Sequence, residues 1–207
     1  MKNGRVKKVE RKYEFTGETK EFAGRTLHRI VAVRDFGSVK KGTLGGWIEK
    51  EENLCHEADC WVADEACAFS DAYIRDQACI DGKACIDGEA CIGGKAYIGG
   101  EACVGGEAYV GEYAYITGGV HIAGNVYIEG RAVVESPNDY LYVSPIDAHD
   151  SVFTAYKSEL GIEWNIGCFR GTLEELEKAV EGNEGNHGFG KEYRILIELI
   201  KEKFKKN

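Results

Sequence analysis

Two groups of residues in this chain have types and spacings that could do chemistry. The first centres on His121, with Cys103 and Cys85 standing 18 and 36 residues before it. An imidazole titrates near neutral pH, so a histidine in a pocket can serve as a general base. It can also bind zinc with thiolates, but a regular spacing stacks these three in a line, whereas zinc wants a tetrahedron. None of the eight cysteines makes a CxxC pair, the usual zinc or redox spacing. No metal is expected. No catalytic residue is assigned, with His121 as the alternative.

The second group lies near the C-terminus. Arg170, His187, Lys191 and Arg194 are close in sequence, and His187 sits in the glycine-rich run GNEGNHGFG. That run is not a P-loop, because it lacks the GK[ST] ending. Gly190 nevertheless precedes a predicted helix, and the free N–H groups of a helix N-terminus attract anions. Lys191 and Arg194 in that first turn oppose the dipole preference, which solvation or a ligand site would explain. Trp164 and Tyr193, with Phe169, have faces on which a nucleobase could stack; the plain alternative is a packed core. The expected ligand-binding set is therefore Arg170, His187, Lys191, Arg194, Trp164 and Tyr193, facing a small anionic ligand.

The elements that hold these residues follow from a repeat. From Ala66 the chain reads ACAFSD, AYIRDQ, ACIDGK, ACIDGE, ACIGGK, AYIGGE, ACVGGE, AYVGEY, AYITGG, VHIAGN, VYIEGR, AVVESP. Two weaker units, LCHEAD and CWVADE, precede it, giving fourteen from Leu54 to Pro137 without insertion. A short fixed period means a repeat architecture. Position one is small, Ala or later Val, and position three is Ile or Val almost throughout, so both lie on one face of a strand. Position two points the other way. Positions four to six are turn formers, and glycine at position five fits unusual dihedrals. Each unit is a short strand followed by a corner.

Ile92-Gly93-Gly94-Lys95-Ala96-Tyr97 carries the signature of this pattern. It resembles the left-handed β-helix hexapeptide family, which includes many acyltransferases. The resemblance implies three units per triangular coil, a left-handed crossover and trimers packed face to face. It also implies a histidine general base at a subunit interface, in a motif not found here. An eighteen-residue coil sorts position two into three ladders: Cys67, Cys85, Cys103, His121; Tyr73, Cys91, Tyr109, Tyr127; and Cys79, Tyr97, Tyr115, Val133. Cysteine is then a small hydrophobe filling one slot of the repeat. Apolar outward ladders call for cover, so a homo-oligomer, a trimer or a multiple of it, is expected.

The flanks complete a mainly β chain: an N-terminal β cap over residues 1–53, the β-helix over 54–137 and a small C-terminal α+β module over 138–207. Tyr13 to Phe15 and Leu27 to Val33 read as strands around the turn-rich FTGET and FAGRT segments. Trp47 and Ile48 are expected to be lids on the first coil, whose backbone must be capped. In the module, Asp139–Ile146, Ser151–Tyr156 and Ile162–Phe169 read as three strands. Thr172-Leu173-Glu174-Glu175 is a capping box for a first helix, and Tyr193, Ile197, Ile200 and Phe204 stripe a second. The Asp35-Phe36 and Gly45-Gly46-Trp47 leader and the GCFRGTLEELE pattern resemble small prophage-borne proteins and a bacterial transferase of this fold.

Composition narrows the partners. With 35 acidic and 26 basic residues the formal charge is -9, which disfavours duplex nucleic acid. No apolar run is long enough to cross a membrane, and no leader with an apolar segment is visible, so a cytosolic location is expected. Three functions follow: a non-enzymatic phage or prophage oligomer that sequesters a small host ligand such as an immune signalling nucleotide, needing no cofactor; a CoA-dependent acyltransferase; or a structural spike or interaction scaffold. The first is preferred.

Overall fold

The computed structural model describes residues 10–146, 150–167, 169–182 and 191–205. The hexads form two-residue strands stacked in parallel, in register, on three faces. One face carries Trp47, Cys67, Cys85, Cys103 and His121. The second carries Tyr73, Cys91, Tyr109 and Tyr127, with Leu54 bridged to Ile74 at its start. The third carries Trp61, Cys79, Tyr97, Tyr115 and Val133. The expected ladders are therefore the observed ones, and the rungs at Trp47, Leu54 and Trp61 raise the solenoid to five coils.

Inside, position three is buried from Val62 to Val134, and position one from Cys60 to Ala132. Alternation of small and branched side chains makes one continuous column of core. Each isoleucine stabilises it by roughly 1.5–3 kcal/mol through burial alone. The corners turn by a left-handed backbone at every sixth residue from 64 to 130. Glycine fills eight of these positions; Asp64, Ser70, Asp76 and Glu112 fill the others. The three carboxylates among them each accept an N–H from the glycine one coil on, Asp64 from Gly82 at 3.4 Å, Asp76 from Gly94 at 3.0 Å and Glu112 from Gly130 at 3.0 Å. These bonds compensate a conformation that costs a side-chain-bearing residue about 1–2 kcal/mol.

The N-terminal segment departs from expectation in three ways. Strand β1 (Tyr13–Phe22) runs through FTGET, and the turn to β2 (Arg25–Ala32) falls at Ala23-Gly24. The glycine of FTGET marks a register shift between Phe15 and Thr19, not a reversal. Trp47 and Ile48 are not lids. They belong to β3 (Leu44–Ile48), which pairs antiparallel with β2 and parallel with the Cys67-Ala68 rung. Ile48 is fully buried in the column. Finally, Leu54 pairs with Ile74 and so occupies position three, not position one of an LCHEAD unit. Between Leu54 and Trp61 the chain carries two extra residues, so the coil from Trp47 to Cys67 takes 20 residues. The open end here is satisfied by side chains: Lys12 Nζ donates to the Ala58 and Cys60 carbonyls, and Asn53 Nδ2 to those of Ser70 and Ala72.

The C-terminal module has four antiparallel strands, not three: Tyr140–Val143, Phe153–Ser158, Gly161–Ile166 and Phe169–Thr172. What reads as one strand, Ile162–Phe169, doubles back at Gly167, whose φ of 56° is left-handed. Helices α1 (Leu173–Gly182) and α2 (Lys191–Phe204) cover one side. The capping box is present: Thr172 Oγ1 accepts from the Glu175 N–H at 3.4 Å and Glu175 Oε2 from the Thr172 N–H at 2.8 Å. Three buried polar side chains seat the module on the last coil. Asn165 Nδ2 donates to the Tyr127 carbonyl, Thr154 Oγ1 accepts from the Tyr127 N–H, and Tyr156 Oη accepts from the Glu129 N–H.

Asp139 anchors the linker into this module. Burial pushes its carboxyl up, but the Lys157 ammonium at 2.6 Å, the Ser136 hydroxyl and the Glu135 N–H outweigh it and hold the group below its ordinary value. A depressed folded pKa gives stability that is present above the unfolded value of about 3.9 and lost as pH falls through the folded one. Asp139→Asn should therefore cost about 2 kcal/mol at pH 7 and much less at pH 3. Urea midpoints at the two pH values measure this. An equal loss at both would contradict it.

Candidate functional site

The corner residues of the last two coils meet the module in a cleft of about 400 Å³. Glu112, Tyr113, Gly130 and Arg131 line it from the solenoid, and Tyr156, Leu160, Glu163, Trp164, Arg170, Gly171, Thr172 and Glu175 from the module. The repeat positions the first set, because Glu112 and Gly130 are corners one coil apart on the same edge. The hairpin at Gly167 swings Arg170 onto that edge.

Arg170 Nη1 lies 2.7 Å from Glu112 Oε1 and 3.5 Å from Glu129 Oε2. The Glu112 carboxylate keeps the guanidinium protonated above its ordinary range. Glu112 is thus shared between Arg170 and the Gly130 N–H, at a φ of 55°. That left-handed φ is the one every corner of the repeat adopts. Arg131 pairs with Glu159 at 2.8 Å, and that carboxylate likewise raises its pKa. Glu163 Oε2 is buried and accepts no hydrogen bond among the described residues. The Tyr156 phenol, buried beside it, is pushed up to about 12, mainly by desolvation.

Of the described residues expected to bind ligand, only Arg170 and Trp164 border this cleft. Trp164 is 5% exposed. It stacks on Phe153 at 5.9 Å and 6°, and its indole N–H donates to the Thr172 carbonyl. Tyr193 is buried in the same module core. Arg194 borders a different cleft, between α1 and α2, with Glu177, Glu181, Glu198 and Lys201. Lys191 is exposed at the first residue of α2. His187 lies outside the described residues. His121 is exposed on its ladder, where its backbone carbonyl accepts the Tyr140 hydroxyl; among the described residues its ring makes no hydrogen bond. Among those residues no group of three or more His, Cys, Asp or Glu is arranged to hold a metal. No described helix is long and apolar enough to cross a membrane.

Sequence reasoning missed Glu112, Tyr113, Arg131 and Glu163. One signal was available: AYVGEY puts glutamate where its neighbouring units put glycine.

No family model matches the chain. A curated relative, the "Uncharacterized acetyltransferase YdcK" of Escherichia coli (strain K12), is 37% identical over 81 residues, 35% of this chain and 25% of the relative. The chain spans about a quarter of the length of the relative that it matches. Hexad, three-sided coil and this match together fit a left-handed β-helix of the hexapeptide-repeat family.

Proposed function

We propose that this protein is a non-enzymatic binding scaffold, a homo-oligomer that holds a small ligand in the cleft between solenoid and module. The observation that carries this is the lining of the cleft. It offers two guanidinium groups, Arg131 and Arg170, each more than half exposed and held in place by a carboxylate, beside the face of Tyr113. Among the described residues that line it the ionisable groups are those of arginine, glutamate and tyrosine, with no histidine or cysteine. A ligand with phosphate or carboxylate groups would take the exposed edges of the two arginines, and bidentate pairing favours such anions. A signalling nucleotide sequestered by a phage-encoded protein is one ligand of this chemistry. Oligomerisation would cover the outward tyrosines, of which Tyr73, Tyr115 and Tyr127 are each about 40% exposed.

Native mass spectrometry with cyclic and adenine-based nucleotides and acetyl-CoA tests the proposal. The expected result is an oligomer that retains a nucleotide unchanged, and an Arg170→Ala protein that loses it while the oligomer survives. The pair Arg170–Glu112 is solvent-exposed, so its loss should cost under about 1 kcal/mol of stability. An oligomer that binds none of the panel would overturn it in favour of a structural scaffold.

The name of the relative favours a second reading, acyl transfer. Release of free CoA from acetyl-CoA in the presence of acceptor amines, abolished by His121→Ala, would establish it against the first.

A further inference from the structure

The first face carries three successive thiols, Cys67, Cys85 and Cys103, while the other two ladders interleave their single cysteines, Cys91 and Cys79, with aromatic residues. Cys67 and Cys85 stand opposite each other on parallel strands, and their sulfur atoms are 3.4 Å apart. Neighbouring strands sit roughly 4.8 Å apart, within the roughly 4.4–6.8 Å separation of Cα atoms that a disulfide spans. A bond between these two sulfurs therefore needs rotation about side-chain torsions and little backbone movement.

Their surroundings differ in a useful way. Cys67 is 3% exposed and packs with Leu27, Trp47 and Phe69, beneath the N-terminal hairpin. Lys20 Nζ rests on the Trp47 ring at 4.4 Å, bringing a positive charge to this corner. Cys85 is half-buried and opens toward Cys103. The shared hydrogen bond with Cys85 lowers the Cys67 thiol below its ordinary value despite burial, and Lys20 acts in the same direction. The same bond raises Cys85. The two sulfurs share one hydrogen bond, so when either thiol ionises the other can keep its proton, and the Lys20 charge acts on Cys67.

We propose that Cys67 and Cys85 form a peroxide-sensitive dithiol that closes to a disulfide between consecutive coils. Hydrogen peroxide is small enough to reach a nearly buried sulfur. The Cys67 thiolate attacks one peroxide oxygen, the O–O bond breaks, and the departing hydroxide takes up a proton to become water. Cys67 is left as a sulfenic acid. The Cys85 sulfur then attacks the Cys67 sulfur, the S–O bond breaks, and the hydroxide leaves with the Cys85 proton as a second water. Two thiols are oxidised to one disulfide and one peroxide is reduced to two waters, the usual fate of a sulfenic acid next to a thiol. The product staples the second coil to the third, under the hairpin that joins the solenoid to its first strands.

The full chain, reduced and then exposed to about one equivalent of hydrogen peroxide, is denatured in excess alkylating reagent and weighed. The expected result is the loss of two alkylation sites. Tryptic digestion should yield the Glu51–Arg75 peptide joined to the Ala84–Lys95 peptide, with fragment sequencing placing the bond between Cys67 and Cys85. Dithiothreitol should reverse it. Cys79→Ser should leave the joined peptide intact, and Cys67→Ser should abolish it. The peptide map of the unaltered chain decides the matter even if Cys67→Ser does not fold. Full alkylation after peroxide, or stable over-oxidation of single cysteines, or a bond mapped to another pair, would overturn the proposal.

Discussion

Gly88→Ala should destabilise the protein by about 2–5 kcal/mol, more than most single substitutions do. A Cβ on Gly88 would lie 2.7 Å from both the N and the O of Gly106, backbone atoms of the next coil. The φ of 62° adds a left-handed penalty of roughly 1–2 kcal/mol to an overpacking cost of roughly 1–3 kcal/mol. The repeat itself supplies the control. Asp76 and Glu112 carry side chains at equivalent corners because their carboxylates accept the N–H of the glycine above. Gly88→Asp should therefore be milder than Gly88→Ala, by about 1 kcal/mol, since its carboxylate can accept from the Gly106 N–H. Chemical denaturation of the two variants measures the difference. If alanine proved the more tolerated, sterics alone and not the hydrogen bond would set the corner.

Asn165→Leu should cost about 2–3 kcal/mol and loosen the module from the solenoid. The side chain is 3% exposed, and its amide donates to the Tyr127 carbonyl at 2.6 Å. Leucine has similar volume but leaves that carbonyl without its donor, and a buried unsatisfied group costs about 1–3 kcal/mol. The loss should be local. Amide exchange in the four module strands should quicken while the middle coils, around Ile86 to Val110, stay protected. Uniform loss of protection along the chain would show instead that solenoid and module unfold as one unit.

How much of this was legible in the residues varies along the chain. The faces and ladders follow from the period, because Ile or Val at position three forces that side chain inward and its neighbour outward. The repeat failed as a guide at its entry. LCHEAD fits a hexad loosely, yet Leu54 packs at position three. The stretch between Leu54 and Trp61 absorbs two residues that no period reveals. The module's fourth strand was hidden for a similar reason: one glycine, Gly167, turns an apolar run into a hairpin. The cleft was less legible still. Glu112 and Arg170 are 58 residues apart and meet only because the module docks on one particular corner. Trp164 and Tyr193 have the right chemistry for stacking, but the same aromatic faces are what a small core needs, and the core claims them.

The two caps fix how this molecule can change its length. Rungs on one face recur every eighteen residues, as Cys67, Cys85 and Cys103 do. Excising residues 85–102 would remove one storey and leave every remaining side chain on its own face. Excising six would turn everything above the cut by a third of a revolution, so that the last coil, with Glu112 and the module seated on it, would face a different side from the N-terminal hairpin. Only removal of whole storeys keeps the hairpin at one end and the module at the other on their present relative sides.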